Sequence, residues 1–163
     1  MTKSNEETEK EELLMQSQSP VSVGIDNIRI GLKANDWEDA IRQASEPLVG
    51  SGAILGGYVD SMVNSVKELS PYIVLMPGFA LAHAAPSPEV LRTDTSIAVF
   101  DSPIFFNSDN DPVYVVMCLA CKDKASHLER LQHIAYKFLD DAHLVRRIRE
   151  CKTRDELSAL LNE

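Results

Sequence analysis

Three apolar runs constrain this chain more than any other feature. Tyr72–Met76, Ser96–Phe100 and Val113–Leu119 are short, rich in β-branched and aromatic residues, and grouped in the middle of the sequence. Runs of this length and composition read as buried strands, and Pro71 and Pro77 bound the first of them. A shorter piece, Ile104–Phe106, reads as a further edge strand, and Ile28, Ile30 and Leu32 alternate with other residues as a half-buried strand does. Helical spacing flanks the central group on both sides. Trp37, Ile41, Ala44 and Leu48 recur on one face behind a cap at Asp36, Pro47 sits where it should distort the last turn, and Gly50 and Gly52 stop the run. Tyr58 to Leu69 predicts a second helix. After the strands, Leu128, Leu131, Ala135, Phe138 and Leu139 predict one helical stripe, Leu144 to Ile148 a second helix and Asp155 to Leu161 a third, the last capped by Thr153 with Glu156 at the box position. The order β-α-α-β-β-β-α-α-α implies an α/β fold with a mixed sheet covered on both faces.

At 163 residues the chain suits one domain, which buries enough surface to fold without disulfides or metal. Residues 1–20 are polar and charged and read as a flexible tail; residues 21–163 read as the domain. The 25 acidic residues outnumber the 16 basic ones, for a net charge of −9. That balance lacks the electrostatic footprint of a nucleic-acid binder and is repelled by anionic lipid. No apolar run approaches the ~20 residues of a membrane span, and no basic start precedes an apolar core as in an export signal. Three cysteines without framework spacing suit a reducing compartment, so a cytoplasmic location is expected.

The stretch from Pro71 to Pro86 carries the chemistry. His83 follows a buried strand and a Pro77-Gly78 turn, with Ala82, Ala84 and Ala85 leaving its imidazole uncrowded. Loops anchored to a sheet edge commonly hold reactive groups. From composition alone, however, a histidine satisfied by backbone contacts is the commoner occupant of such a place.

The ordered set Met62-Val63, Val66-Lys67-Glu68-Leu69, Pro71-Tyr72-Ile73-Val74, Pro77-Gly78-Phe79-Ala80-Leu81-Ala82-His83-Ala84, Leu119-Ala120 and His127-Leu128 resembles the mannitol/fructose-type IIA component of the bacterial phosphoenolpyruvate-dependent sugar phosphotransferase system. Within that family it is most similar to the ascorbate-specific subgroup. The resemblance spans Trp37 to Leu161 and implies a three-layer α/β/α sandwich. It implies that His83 is phosphorylated by the phosphocarrier HPr and passes the group to a cysteine of a IIB component. His127 matches the family's second histidine, placed to hydrogen-bond the phosphoryl oxygens, and either Ser65 or Lys67 aligns with a position near which an arginine stands in the mannitol branch, Lys67 being the candidate point charge. No cofactor or metal is implied.

The chemistry explains the residue type. Imidazole, with an ordinary pKa of ~6.5, is largely the neutral nucleophile at pH 7. A phosphoramidate also keeps a transfer potential that a serine phosphate would lack. Two positions depart from the family pattern: Ala82 stands where proline is common, and Ala85 where arginine is. They raise a second reading, a regulatory or binding module of the same fold that acts by docking alone. In the phosphocarrier reading, Phe79, Leu81 and Ala84 are expected to form an apolar contact rim for partners.

Other candidates are weaker. The odd separation of Cys118 and Cys121 on a strand sends their side chains to opposite faces, against a shared ion. Cys151, His133 and His143 have no evident partner, Asp101, Asp109 and Asp111 lack the spacing of a calcium loop, and Met76 and Met117 read as core filling.

Overall fold

The computed structural model describes residues 22–163; the tail expected over residues 1–20 lies outside the described residues. After a 3-10 turn at Ile25–Asn27 come β1 (Ile28–Leu32), α1 (Trp37–Gly50), α2 (Gly56–Glu68), β2 (Val74–Met76), β3 (Phe79–Ala82), β4 (Asp94–Ile104), β5 (Val113–Ala120), α3 (Lys124–Asp140), α4 (Leu144–Glu150) and α5 (Arg154–Leu161). The strands form one mixed sheet in the order β1-β4-β5-β3-β2. β1 runs parallel to β4 and β3 parallel to β5, whereas the β4–β5 and β2–β3 pairs are antiparallel.

The expected α/β sandwich is present, with one strand more than the sequence pattern announced. Phe79–Ala82, read as loop, is β3, paired residue for residue with Val115 to Cys118. Alanine has little intrinsic strand preference, and all four residues are buried, so no polar alternation marks the segment. The alternation is one of size instead: Phe79 and Leu81 face the α3–α5 layer, while Ala80 and Ala82 face α1 and α2. Pro77 and Gly78 make the two-residue turn into β3, where Gly78 takes φ +86°, the value that favours glycine. A second correction concerns Ile104–Phe106, which is no separate edge strand. Ile104 is the last residue of a long β4, and the ladder shifts register between Val99 and Ile104, the irregular stretch where Pro103 owes no hydrogen bond.

Both helical layers follow from their caps and apolar faces. Asp36 accepts the Asp39 N–H at 2.8 Å to open α1, and Ile41, Ala44 and Leu48 are fully buried. Pro47 lies within α1 without ending it; the helix stops at Gly50, and Gly52 adopts φ +81° just beyond, as the glycines predict. Thr153 accepts the Glu156 N–H at 3.1 Å and Glu156 accepts the Lys152 N–H at 3.1 Å, a reciprocal box at the start of α5.

One core lies between α1, α2 and the sheet, around Tyr58, Met62, Ala98, Val116 and Cys118. The other lies between the sheet and α3–α5, around Phe79, Met117, Ile134, Phe138, Ile148 and Leu157. The α3 stripe differs from expectation: Ile134 and Phe138 are its buried residues, whereas Leu128 and Leu139 are 59% and 68% exposed. The helix touches the sheet along a narrower seam than its apolar residues suggest, anchored by Phe138 stacked on Phe79 at 3.8 Å between ring centroids.

Candidate functional site

His83 is the residue after β3, at the end of the sheet where β5 also terminates. Its neighbour Ala82 is fully buried in the sheet, and Ala84 is buried on the other side of the chain. The segment that follows is strapped to the α1–α2 connection: Leu55 N–H donates to Glu89 O at 2.9 Å, and the Leu91 and Arg92 N–H groups donate to Ala53 O at 2.8 and 3.0 Å. The imidazole is half-buried rather than exposed on a free loop, because the strand carries it into the rim of the core.

His83 Nδ1 lies 2.7 Å from the Leu81 carbonyl oxygen. A carbonyl only accepts, so Nδ1 carries the proton and the neutral ring keeps its lone pair on Nε2. Burial lowers the His83 pKa from its ordinary 6.5, while the bond to the Leu81 carbonyl works in the opposite direction. The ring is therefore a neutral nucleophile at physiological pH. Tyr72 meets it edge-on, with ring centroids 5.6 Å apart and planes at 87°, which closes one side of the imidazole.

The His127 ring lies 5.6 Å from that of His83, tilted by 50°. It comes from the first turn of α3, opened by the Asp123 carboxylate accepting the Ser126 N–H at 2.8 Å. That hydrogen bond is the main reason the Asp123 pKa falls below the usual carboxylate range. Burial first, and the neighbouring His83 second, lower the His127 pKa from 6.5. His127 Nδ1 is buried and has no hydrogen-bond partner among the described residues. A buried polar atom left unpaired is costly, and a hydrogen-bonding group that reached it would relieve that cost.

The two histidines, 44 positions apart in sequence, are thus brought together, whereas Lys67 is engaged elsewhere. Its ammonium pairs with Glu38 of α1 at 2.9 Å, and both side chains are partly exposed. The expected contact rim needs correction. Phe79 and Leu81 are at most 1% exposed and Ala84 is 7% exposed, since strand alternation commits them to the two cores. The exposed groups around the histidines are instead Tyr72, Ala85 and Leu128. Cys118 and Cys121 fall in opposite cores as their spacing predicts, and burial pushes their thiols up to about 12 and about 11, far from reactive thiolates.

Sequence reasoning missed two members of the site. Tyr72 was part of a buried run and Tyr58 part of a helix face, yet Tyr58 places its hydroxyl on the backbone of Ala84. The available signal was the residue type, because a buried tyrosine must find a partner for its hydroxyl.

Residues 23–163 match the family model described as phosphoenolpyruvate-dependent sugar phosphotransferase system, EIIA 2. The ascorbate-specific PTS system EIIA component of Salmonella choleraesuis strain SC-B67 is 31% identical over 138 residues, covering 83% of this chain and 89% of that one. The crystal structure of IIA mannitol from Escherichia coli superposes with a TM-score of 0.75 at 28% identity, covering 85% of this chain and 98% of that one. The complex of enzyme IIA mannitol with phosphorylated enzyme IIB mannitol, also from Escherichia coli, gives 0.74 at 27% identity, covering 85% of this chain and 96% of that one. Among the described residues no helix is long and apolar enough to cross a membrane. With the family model matched from the first strand through the last helix, this chain belongs to the EIIA type 2 family of the phosphoenolpyruvate-dependent sugar phosphotransferase system, whose members are phosphocarriers.

Proposed function

We propose that His83 is the phosphorylated residue of a cytoplasmic phosphocarrier domain over residues 21–163. It takes its phosphoryl group from HPr and delivers it to a cysteine of a IIB component, with ascorbate as the transported substrate class. The observation that carries the reading is the Nδ1 bond to Leu81 O at 2.7 Å, which leaves Nε2 as the nucleophile beside His127.

The Nε2 lone pair attacks phosphorus in line as the N–P bond to the donor histidine breaks. The Leu81 carbonyl cannot take the Nδ1 proton, so the ring holds it. A ring that keeps this proton is a good leaving group when a IIB thiolate attacks phosphorus and the Nε2–P bond breaks. His127 meets the phosphoryl oxygens, whose charge of about −1.5 to −2 offsets the cost of protonating that second ring. Lys67 is the weaker candidate for a cation beside the phosphoryl group, since its ammonium pairs with Glu38 at 2.9 Å. The net charge of −9 favours a partner that approaches with a basic face, as expected of HPr. Transfer to IIB is supported by the IIA–IIB mannitol complex among the structural relatives, and ascorbate by the Salmonella relative.

The decisive test incubates the protein with phosphoenolpyruvate, enzyme I and HPr and looks for an acid-labile, alkali-stable phosphate on His83. Binding of HPr without labelling would favour the docking module raised by Ala82 and Ala85. Chase of the labelled protein with ascorbate-type and mannitol-type IIB components then separates the substrate classes.

A further inference from the structure

We propose that Tyr58 is a positioning residue that holds the His83 and His127 carriers in register. Its effect on phosphoryl transfer rests on His83 being the acceptor; its effect on the imidazole does not. Tyr58 is fully buried in the first turn of α2, and its hydroxyl meets three backbone groups. It accepts the Ala84 N–H at 3.0 Å and lies 2.9 Å from both the Ala84 and the Leu119 carbonyl oxygens. With one proton it donates to one carbonyl at a time, so the two acceptors share it. Burial raises its pKa well above the ordinary phenol value, and the proton stays in place throughout the working pH range.

The Ala84 N–H belongs to the peptide that joins His83 to Ala84, so capturing it fixes the backbone on the far side of the histidine. Ala82, paired with Cys118 in the sheet, fixes the near side. Only the side-chain torsions remain, and the Leu81 carbonyl holds those through Nδ1. Leu119 is the next-to-last residue of β5, four before Asp123, the cap of the helix that carries His127. One hydroxyl therefore spans the strand end that presents His83 and the strand end that leads to His127.

The test compares Tyr58→Phe with Leu48→Ala, a core change on α1 that lowers stability and removes none of the groups the Tyr58 hydroxyl meets. Ring nitrogen-15 NMR of unphosphorylated protein reads the His83 tautomer, and steady-state transfer from phosphorylated HPr reads kcat and KM. In Tyr58→Phe the His83 ring is expected to lose its fixed Nδ1–H form, with kcat down about tenfold and KM within about twofold, since misplacing a reacting group slows the step more than the encounter. Leu48→Ala should leave both readouts unchanged. A wild-type tautomer and kcat in Tyr58→Phe, or an equal kcat loss in Leu48→Ala, overturns the proposal. If Tyr58→Phe fails to fold, full-length Tyr72→Phe protein with 3-fluorotyrosine at its three remaining tyrosines replaces it and is compared with the unlabelled variant, so that no label lies against the His83 ring. The Ala84 amide and His83 ring resonances should then shift together, and an unshifted His83 ring overturns the clamp. A wild-type protein that takes no phosphate would sink the phosphocarrier reading, while the ring spectra would still judge Tyr58.

Discussion

His83 and His127 face one another from regions built in opposite ways. His83 grows out of β3, whose four residues are all buried; its ring and following loop are tied to backbone groups and the peptide after it to the Tyr58 hydroxyl. His127 stands on a 17-residue helix that buries only Ile134 and Phe138, leaves Leu128 and Leu139 in solvent, and carries a ring nitrogen with no partner. Shorter α2 buries five residues in 13, so the contrast is not one of helix length. A group that forms and breaks a covalent bond needs a fixed direction of attack, whereas a group that only steadies charge benefits from being able to follow it. The difference teaches that His83, the proposed nucleophile, is preorganised by the sheet, whereas His127 rides on a helix seated only through Ile134 and Phe138.

The largest expected effect removes the rigid partner. His83→Ala should abolish phosphate acceptance from HPr, with a stability loss of about 1 kcal/mol from the missing bond to Leu81 O; phosphate labelling of the variant at a wild-type level would overturn the assignment. Phe138→Ala attacks the anchor of the looser side. It should cost about 3–5 kcal/mol in chemical denaturation, as large aromatic truncations in cores do. Hydrogen exchange should show α3 opening while the His83 ring keeps its tautomer, and simultaneous loss of both would mean the two regions are not independent.

His127→Ala leaves the nucleophile in place, so transfer should continue, slowed about tenfold to a hundredfold. A rate equal to wild type across pH would remove its role. The pH response is smaller still. Both imidazole pKa values lie below the ordinary 6.5, so the unfolded chain binds more protons than the folded one. Stability should be full above about pH 6.5 and fall as the pH drops below it. A His83→Gln/His127→Gln double variant should lose that part of the slope between pH 7 and 5 in urea titrations. Smallest of all, Leu139→Ala should change stability by less than about 0.5 kcal/mol, because its side chain is 68% exposed; a larger loss would show that α3 is better seated than its burial indicates.

Much of the fold was legible because its signals are local. The Asp36 and Thr153 caps, the glycine stop after α1, the Pro77-Gly78 turn and the β-branched runs each act within a few residues, and each appears where the pattern put it. What escaped was set by neighbours. Phe79–Ala82 became a strand because β5 and β2 flank it, and Pro103 sits inside a long strand because the ladder shifts around it. Leu128 and Leu139 have the spacing of core residues, yet the sheet reaches only Ile134 and Phe138. Of the site, His83 was singled out by the family resemblance, since its turn and small neighbours alone left a histidine satisfied by backbone contacts open. Its ring tautomer, the orphaned nitrogen of His127 and the grip of Tyr58 were not legible.

By itself, then, the sequence determined an α/β sandwich and the helix ends, because capping, turn chemistry and apolar periodicity are properties of adjacent residues. The tertiary structure alone decided which ring nitrogen is free, which histidine stands 5.6 Å away, and that Lys67 answers to Glu38. Those outcomes depend on carbonyls and side chains brought together from distant segments, and no spacing along the chain records where they meet.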